Sequence, residues 1–244
     1  MKRSLSLFLI LFLFISVRFT SAQAVDEILA KHFEAIGQDN LSAVQTVKTT
    51  GKFVQGGMEI PFISYALRPN KVRVEGEFQG LKFIQAYNGE IGWALNPFMG
   101  DTVPTQAQQD VVDELKDQAD IDGLFYNYAD KGFKVELVGT EEMEGQQVYL
   151  LKLTKENGNE YIYYMDAENY VPLKMKAKVK VMGVEREVET FYSNYKPTDG
   201  IVMAYSMESK MGGQTVSQIV VDKVEFNVEV DPSIFEMDSA KTKE

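Results

Sequence analysis

Carboxylates are the only abundant side chains in this chain that could do acid–base chemistry. The 244 residues include 36 Asp and Glu, one histidine and no cysteine. This count excludes a thiolate nucleophile and any zinc site built from cysteine. A Ser-His-Asp triad would depend on His32 alone, which lies beside the apolar stripe of a predicted helix and suits a packing role. A glycosidase-like pair of acids stays an open alternative, because the sequence does not reveal which carboxylates meet.

Phosphate chemistry has no sequence signature in this chain. No glycine-rich loop precedes a predicted helix, and Gly56-Gly57 and Gly212-Gly213 lie at predicted hairpin turns. The formal net charge of −11 disfavours binding to a nucleic acid backbone, which requires Lys and Arg. We therefore expect a protein with no enzymatic activity, no cofactor, no metal and no nucleic acid partner.

The first 22 residues have the three parts of a secretory leader. A basic start precedes an apolar run over residues 5–17, and small residues then suit cleavage before Gln23. A retained N-terminal anchor is the alternative, and Arg18 supports it. No cysteine follows the cut to carry a lipid, so the sequence predicts a soluble periplasmic protein.

Cleavage would leave one domain of moderate size. Removing 22 of the 244 residues leaves 222, and the loss of Lys2, Arg3 and Arg18 with no acid lowers the net charge from −11 to −14. A β domain of this length commonly folds as one unit. We expect a single domain over residues 23–238, a polar tail over residues 239–244, and a monomer.

Strand alternation is clearest over residues 173–191. Apolar residues alternate with lysines up to Met182-Gly183 and with charged residues, mostly glutamates, beyond it. A two-residue loop at that point sets three opposite-charge pairs in register: Lys180–Glu185, Lys178–Glu187 and Lys176–Glu189. One face of the hairpin is then charged and the other mostly apolar. An anion-binding lysine patch is the weaker alternative, because three glutamates oppose the lysines.

The same alternation recurs through most of the chain and predicts about ten to eleven strands. Short turns such as Arg68-Pro69-Asn70 and the two-residue turn Asn88-Gly89 separate them, which favours an antiparallel meander. Helical spacing appears over residues 25–36, ended by Gly37, and over residues 106–119, where Thr105 and Gln108 fit a capping box. Two or three helices can cover only one face of such a sheet. The sequence therefore predicts a curved antiparallel sheet, an incomplete half-barrel, with helices on its concave face.

Large and adaptable apolar side chains are plentiful, with 11 methionines and 15 phenylalanines. An ordinary β core accounts for any one of them. The alternative is a concave apolar cavity for acyl chains, since each CH₂ removed from water gains about 0.8 kcal/mol. The side chains expected to line such a cavity are Phe53, Phe62, Phe78, Phe83, Trp93, Phe98, Met99, Met203 and Met207.

Two segments carry a family resemblance. The turn LRPN at residues 67–70 and the segment YNGEIGWALNPF at residues 87–98 resemble the periplasmic lipoprotein carriers of the LolA family. Residues 166–172, 199–201 and 230–235 are similar to the wider LolA/LolB superfamily. The chain departs from the typical carrier in its greater length and in having Glu236-Met237-Asp238 where prolines usually follow the last Phe.

The resemblance implies a half-barrel whose helices form a lid over an acyl-binding cavity. It implies transport of lipoprotein acyl chains, or other lipids, from an inner-membrane donor complex to an outer-membrane acceptor. It also implies that Arg68 acts as a latch by hydrogen bonding to the backbone of a lid helix. The alternatives are a lipid-sensing regulatory module of the same superfamily and a structural envelope protein with a fully packed core.

Overall fold

The computed structural model describes residues 21–181 and 184–240. The leader expected over residues 1–22 lies outside this part of the chain except for its last two residues, which begin the first helix. The turn expected at Met182-Gly183 and residues 241–244 of the polar tail also lie outside it. Just before that end, a 3₁₀ turn spans Met237–Ala240.

Three α-helices and thirteen strands make up the described fold. The helices are α1 (Ser21–Ile36), α2 (Gln38–Ser42) and α3 (Gln109–Ala119). The strands are β1 (Thr46–Gln55), β2 (Met58–Leu67), β3 (Lys71–Phe78), β4 (Leu81–Tyr87), β5 (Gly92–Leu95), β6 (Thr105–Gln106), β7 (Lys134–Met143), β8 (Gln146–Thr154), β9 (Glu160–Asp166), β10 (Pro172–Val181), β11 (Val184–Thr198), β12 (Ile201–Met211) and β13 (Gln214–Phe226). Further 3₁₀ turns span Pro97–Met99 and Pro232–Phe235.

All thirteen strands belong to one antiparallel sheet. Its order is β6-β5-β4-β3-β2-β1-β13-β12-β11-β10-β9-β8-β7, so β6 and β7 are its two edges. These edges follow one another in the chain, and the segment that joins them contains α3. The sheet is curved but not closed into a barrel, which confirms the predicted half-barrel.

The curvature has local causes in the strands. Register shifts interrupt the pairing between Thr50 and Gly51, between Leu137 and Gly139, and between Ser209 and Lys210. Each extra residue bends its strand and increases the local twist. Bulges spread across the sheet thus turn a long meander into a half-barrel.

The predicted register of the β10–β11 hairpin is confirmed. Lys180 pairs with Glu185, Lys178 with Glu187 and Lys176 with Glu189 along the backbone. The Nζ atom of Lys176 lies 3.2 Å from a carboxylate oxygen of Glu189 and 3.4 Å from one of Glu187. The side chains of Lys176, Glu187 and Glu189 thus lie on the face of the sheet opposite to the helices.

The strand count and several boundaries differ from the sequence expectation. Thirteen strands replace ten to eleven, partly because Thr105-Gln106 is a short edge strand rather than the start of a helix. Helix α3 begins at Gln109 with Gln108 as its N-cap, and no side chain caps it, so the capping box is wrong. The last strand ends at Phe226 because Asn227 has a φ of 54°.

The loop after β4 is also longer than the expected two-residue turn. Tyr87 and Gly92 form the last pair of the hairpin, which leaves residues 88–91 in the loop. The side-chain oxygen of Asn88 accepts hydrogen bonds from the backbone N–H groups of Glu90 and Ile91, at 3.0 and 2.9 Å. This Asx turn closes the loop together with a backbone hydrogen bond from the N–H of Asn88 to the carbonyl of Ile91, at 3.2 Å.

Helix α1 ends where the sequence predicts, at Gly37. This residue has a φ of 71°, a conformation that glycine adopts without steric cost. A Cβ atom there would lie 2.0 Å from the carbonyl oxygen of Gly200. Gly37 therefore lets α2 start directly after α1 and brings the chain against the β11–β12 turn. The sequence alone does not indicate this second helix.

The helices cover opposite wings of the concave face. The buried side of α1, with Val25, Ile28 and Leu29, packs on β7, β8 and β9. Leu115 and Ala119 of α3 pack on Phe62, Val72 and Tyr87 of β2, β3 and β4. The middle strands of the sheet, β1 and β10–β13, lie between these two clusters.

Candidate functional site

A row of large side chains crosses the concave face between α1 and α3. Direct strand pairing places them side by side, in the order Ile60, Phe53, Ile219, Met207 and Tyr192. All five are half-buried. Four steps between strands of about 4.8 Å each make the row about 19 Å long. We call these five residues the central row, and the concave surface around them the apolar trough.

Three of the predicted cavity residues form one aromatic cluster at the α3 end of the trough. The ring of Phe53 lies 4.5 Å from that of Phe62 and 6.3 Å from that of Phe83, between centroids. Glycines opposite them leave room for the rings, because a Cβ at Gly76 would lie 2.5 Å from the Phe83 ring and one at Gly51 would lie 3.0 Å from the Phe62 ring. Phe62 is buried against α3, whereas Phe53 and Phe83 are half-buried.

Met203 and Met207 lie further along the same face. Both pack against the buried cluster of Tyr205, Val221 and Val224, and both are half-buried. Met203 also borders Leu41 of α2. Phe53, Phe62, Phe83, Met203 and Met207, five of the nine predicted cavity residues, thus lie along the trough.

Phe78, Phe98 and Met99 lie at the end of the sheet rather than inside the trough. The ring of Phe98 is 6.2 Å from that of Phe78, and the side chain of Asn96 caps the turn that carries Phe98. Phe98 is 47% exposed and Met99 81% exposed. A cavity of about 320 Å³ opens close by, lined by Pro61, Phe62, Gly76 and Lys82 among others.

The prediction that Trp93 lines the cavity is wrong, because Trp93 lies on the convex face of the sheet. Trp93 pairs with Ala86, and Ala86 pairs with Arg73, so the three share one face of the sheet. Val72 and Tyr87, which pack against α3, lie on the other face. The indole is fully buried, and its Nε1–H donates to the carbonyl of Phe235 at 2.8 Å. The 3₁₀ turn Pro232–Phe235 covers the indole, so the ring stabilises the outer face and cannot line the trough.

Arg68 joins the β2–β3 turn to α2 and to the segment after α3. Its Nε donates to the carbonyl of Val44 at 2.6 Å, and its Nη2 donates to the carbonyl of Leu41 in α2 at 3.2 Å. Nη1 and Nη2 also bind both carboxylate oxygens of Asp122, at 2.5 and 2.8 Å. The hydrogen bonds from this guanidinium hold the pKa of Asp122 below its usual value.

Asp122 extends this junction to α2. It accepts hydrogen bonds from the Nε2 of Gln38 at 3.0 Å and from the Oγ of Ser42 at 3.4 Å. The Arg68 and Asp122 side chains are only 20% and 17% exposed. The two residues therefore tie α2, the segment after α3 and the β2–β3 turn into one polar junction.

Helix α3 reaches from one wing of the sheet to the other. It packs on β2–β5, yet its Asp117 forms an ion pair with the buried Lys155 at the end of β8. The Nδ2 of Asn157 in the β8–β9 turn donates to the Oδ2 of Asp113 at 3.2 Å. Just beyond the helix, Lys131 binds Asp120 at 2.5 Å. These polar contacts connect α3 and the segment after it to the far wing.

His32 and the acids are the side chains that the sequence offered for acid–base chemistry. In the described part of the chain, no group of three or more His, Cys, Asp or Glu residues is placed to bind a metal ion. His32 is buried, and its Nδ1–H donates to the carbonyl of Tyr170 at 2.7 Å. Its ring also packs against Phe33 and Phe125, which is a structural role.

Most of the chain matches the model of one protein family. A family model with the description "uncharacterized protein" matches residues 80–241. The chain belongs to this family. No curated protein sequence matches it. None of the helices in residues 21–181 and 184–240 is long and apolar enough to cross a membrane.

Solved structures share the fold of this family member at low sequence identity. A DUF1329 family protein from Desulfovibrio piger ATCC 29098 is 14% identical with a TM-score of 0.62, over 88% of this chain and 99% of that one. The LolA superfamily protein NE2245 from Nitrosomonas europaea is 14% identical with a TM-score of 0.60, over 91% and 100%. A Vibrio parahaemolyticus domain described as a candidate for outer membrane lipoprotein sorting is 11% identical with a TM-score of 0.58, over 87% and 98%. The resemblance to the LolA superfamily is thus confirmed at the level of the fold.

Sequence reasoning missed several residues of this site. Asp122 meets Arg68, and Asp117 meets Lys155, only in the folded chain. No spacing in the sequence indicates either contact. Tyr192 could have been found from alternation, since it lies two residues after Thr190 on the apolar side of β11.

Proposed function

We propose that this protein is a periplasmic carrier that binds the acyl chains of lipoproteins or other lipids in the apolar trough. An inner-membrane donor supplies the cargo, and the carrier delivers it towards an acceptor at the outer membrane. The leader expected at the N-terminus and the LolA superfamily fold support this proposal. No chemical step is required, since the cargo is transferred unchanged.

The central row is the observation that carries the proposal. Five large side chains stay half-buried on the inside of the sheet, where a fully packed core would bury them. An acyl chain bound along this row would cover these side chains, and the acyl chain would itself be removed from water. At about 0.8 kcal/mol for each buried CH₂, a row about 19 Å long gives strong binding without a specific polar contact.

We infer that α3 acts as the lid, because of the way it is attached to the sheet. Its apolar side packs on one wing of the sheet, while its polar contacts to Lys155 and Asn157 fasten it to the other. The Asn157–Asp113 contact is exposed and contributes little, whereas the Asp117–Lys155 pair is largely buried and costly to separate. This attachment therefore holds α3 closed until a bound ligand or a partner offsets that cost. Arg68 adds a second fastening through α2 and Asp122, which favours the closed state of the empty protein.

Lipid extraction from the exported protein tests the proposal. The full chain is expressed with its leader, purified from the periplasm, and its organic extract is analysed by mass spectrometry. We expect acylated species in the wild type and a larger load in Arg68→Leu, because loss of the latch destabilises the empty closed state. Lys223→Leu is the matched control, since Lys223 is 65% exposed and forms an ion pair with Glu225 away from the lid.

Two results are decisive, one against carriage and the other against the latch alone. One is a wild-type protein that yields no acyl species and also fails to bind a fluorescent fatty acid. The other is an equal load in Arg68→Leu and Lys223→Leu, which would remove Arg68 as a latch while leaving acyl binding in place.

A further inference from the structure

Two tyrosines interrupt the apolar lining of the trough near α1. Tyr192 is the last residue of the central row. Tyr163 of β9 pairs with Met175, and Met175 pairs with Thr190, two residues before Tyr192. The Tyr163 ring also meets Phe125 edge-on, with 4.7 Å between centroids. Both tyrosines therefore lie on the concave face where the row meets the cluster under α1.

Neither hydroxyl has a hydrogen-bond partner within residues 21–181 and 184–240. Their neighbour Tyr195 differs, because its hydroxyl donates to the carbonyl of Pro172 at 2.5 Å. Both hydroxyls remain open to water, because within the described residues Gln38 Oε1 alone is a buried side-chain N or O atom without a partner. A ligand that covers them displaces this water, which costs free energy unless the ligand brings an acceptor.

Both hydroxyls stay protonated at neutral pH. Burial raises the pKa of Tyr192 to about 12. Burial also raises the pKa of Tyr163 well above its usual value, and the nearby Tyr192 and Asp117 add to the shift. The two groups are thus neutral O–H donors at the edge of an apolar surface.

We propose that Tyr163 and Tyr192 form a polar subsite that donates hydrogen bonds to the ester or amide carbonyl of an acylated ligand. The inference rests on the proposed function and specifies its ligand as an acyl ester or amide. The hydrocarbon tail then runs from the carbonyl along the central row towards Phe53 and Ile60.

The chemistry of the subsite favours a neutral carbonyl over a charged group. A carbonyl oxygen accepts hydrogen bonds and needs no counter-charge. The carboxylate of Asp117 lies close enough to act on Tyr163 and would repel a phosphate. Lys155, the nearest buried cation of this wing, is already engaged by both oxygens of Asp117.

Binding of matched ligands to tyrosine-to-phenylalanine variants tests the subsite. The ligands are methyl myristate, which has an ester, and pentadecane, which does not, each displacing N-phenylnaphthylamine from the delipidated protein. Tyr163→Phe and Tyr192→Phe keep the rings and remove only the hydroxyls. Tyr65→Phe is the control, because Tyr65 pairs with Lys48 and Arg73 on the convex face.

We expect each trough variant to bind the ester about two- to tenfold more weakly, the range that one net hydrogen bond supplies, with pentadecane binding unchanged. The infrared stretch of a ¹³C-labelled ester carbonyl should shift to higher frequency in the double variant. Equal ester affinity and an unshifted stretch in all variants would overturn the subsite and leave the carrier proposal standing. Failure of both ligands to bind the wild type would overturn both.

Discussion

At the scale of single residues, the Arg68–Asp122 pair is the junction through which we propose that the lid is held closed. One guanidinium serves two backbone carbonyls and one carboxylate, so its five donors fasten three chain segments at once. The resemblance to the LolA family implied only hydrogen bonds to a lid helix. The carboxylate partner, Asp122, comes from the folded chain and strengthens the attachment.

Replacing Arg68 should therefore destabilise the protein. Arg68→Leu leaves Asp122 with hydrogen bonds from only Gln38 and Ser42, and removes one donor each from the carbonyls of Val44 and Leu41. We expect the free energy of unfolding to fall by about 2 kcal/mol, since the lost bonds are charge-assisted and mostly shielded from water. Urea unfolding measures it, with Lys223→Leu expected within about 0.5 kcal/mol of wild type. A change of that small size in Arg68→Leu itself would contradict the junction.

His32 makes stability depend on pH in a defined window. Burial lowers the pKa of this histidine below its ordinary value of 6.5. The unfolded chain therefore binds the proton more readily, and the free energy of unfolding should fall as the pH drops below about 7 towards the pKa of the folded state. One proton gives a slope of at most about 1.4 kcal/mol per pH unit.

His32→Asn tests this dependence. The amide can still donate to the carbonyl of Tyr170, but it does not titrate. We expect a variant of lower stability whose unfolding free energy lacks the histidine contribution to the slope between pH 7 and pH 5, measured by urea titration at each pH. An unchanged slope would show that other groups cause it.

At the scale of elements, we propose that α3 is the part of the lid that moves. It joins the two edge strands in sequence and reaches the far wing through polar side chains. A lid of this kind must open before a ligand can enter. Joining α3 to the β8–β9 turn should then stop entry.

A reversible cross-link tests the role of α3. Asp113→Cys and Asn157→Cys introduce the only thiols, because the natural chain has no cysteine. Bridging them with a short bis-methanethiosulfonate should slow loading of a fluorescent fatty acid about tenfold or more, as seen by stopped-flow fluorescence. Dithiothreitol should restore the rate, and each single variant serves as a control. Loading at the same rate with the bridge intact would mean that the ligand enters elsewhere.

Strands and helix ends were predictable from the sequence where the residues nearby in the chain determine them. Alternation sets the β10–β11 register because a slip by one residue would turn the lysines inward. Glycine at position 37 ends α1 because its backbone needs a positive φ. The start of α3 was misjudged because Thr105 pairs with Ala94 across the sheet edge, a long-range contact that outweighs a local cap.

At the scale of the whole molecule, alternation fixed which residues share a face but not which face is the inner one. Trp93 shows the consequence, since its strand is short and both of its faces are covered, one by α3 and one by the turn Pro232–Phe235. The same limit applies to Phe98 and Met99, which a loop carries to the rim. The inner surface became clear only when the helices were seen to pack on one face.

Photolabelling provides the most direct test that the trough holds acyl chains. Palmitic acid with a mid-chain diazirine is bound to the delipidated protein, irradiated, and the adducts are mapped by peptide mass spectrometry. The account predicts adducts on the peptides of β1, β12 and β13 that contain Phe53, Met207 and Ile219. Adducts confined to the exposed rim at Phe98 and Met99, or to the convex face, would contradict it.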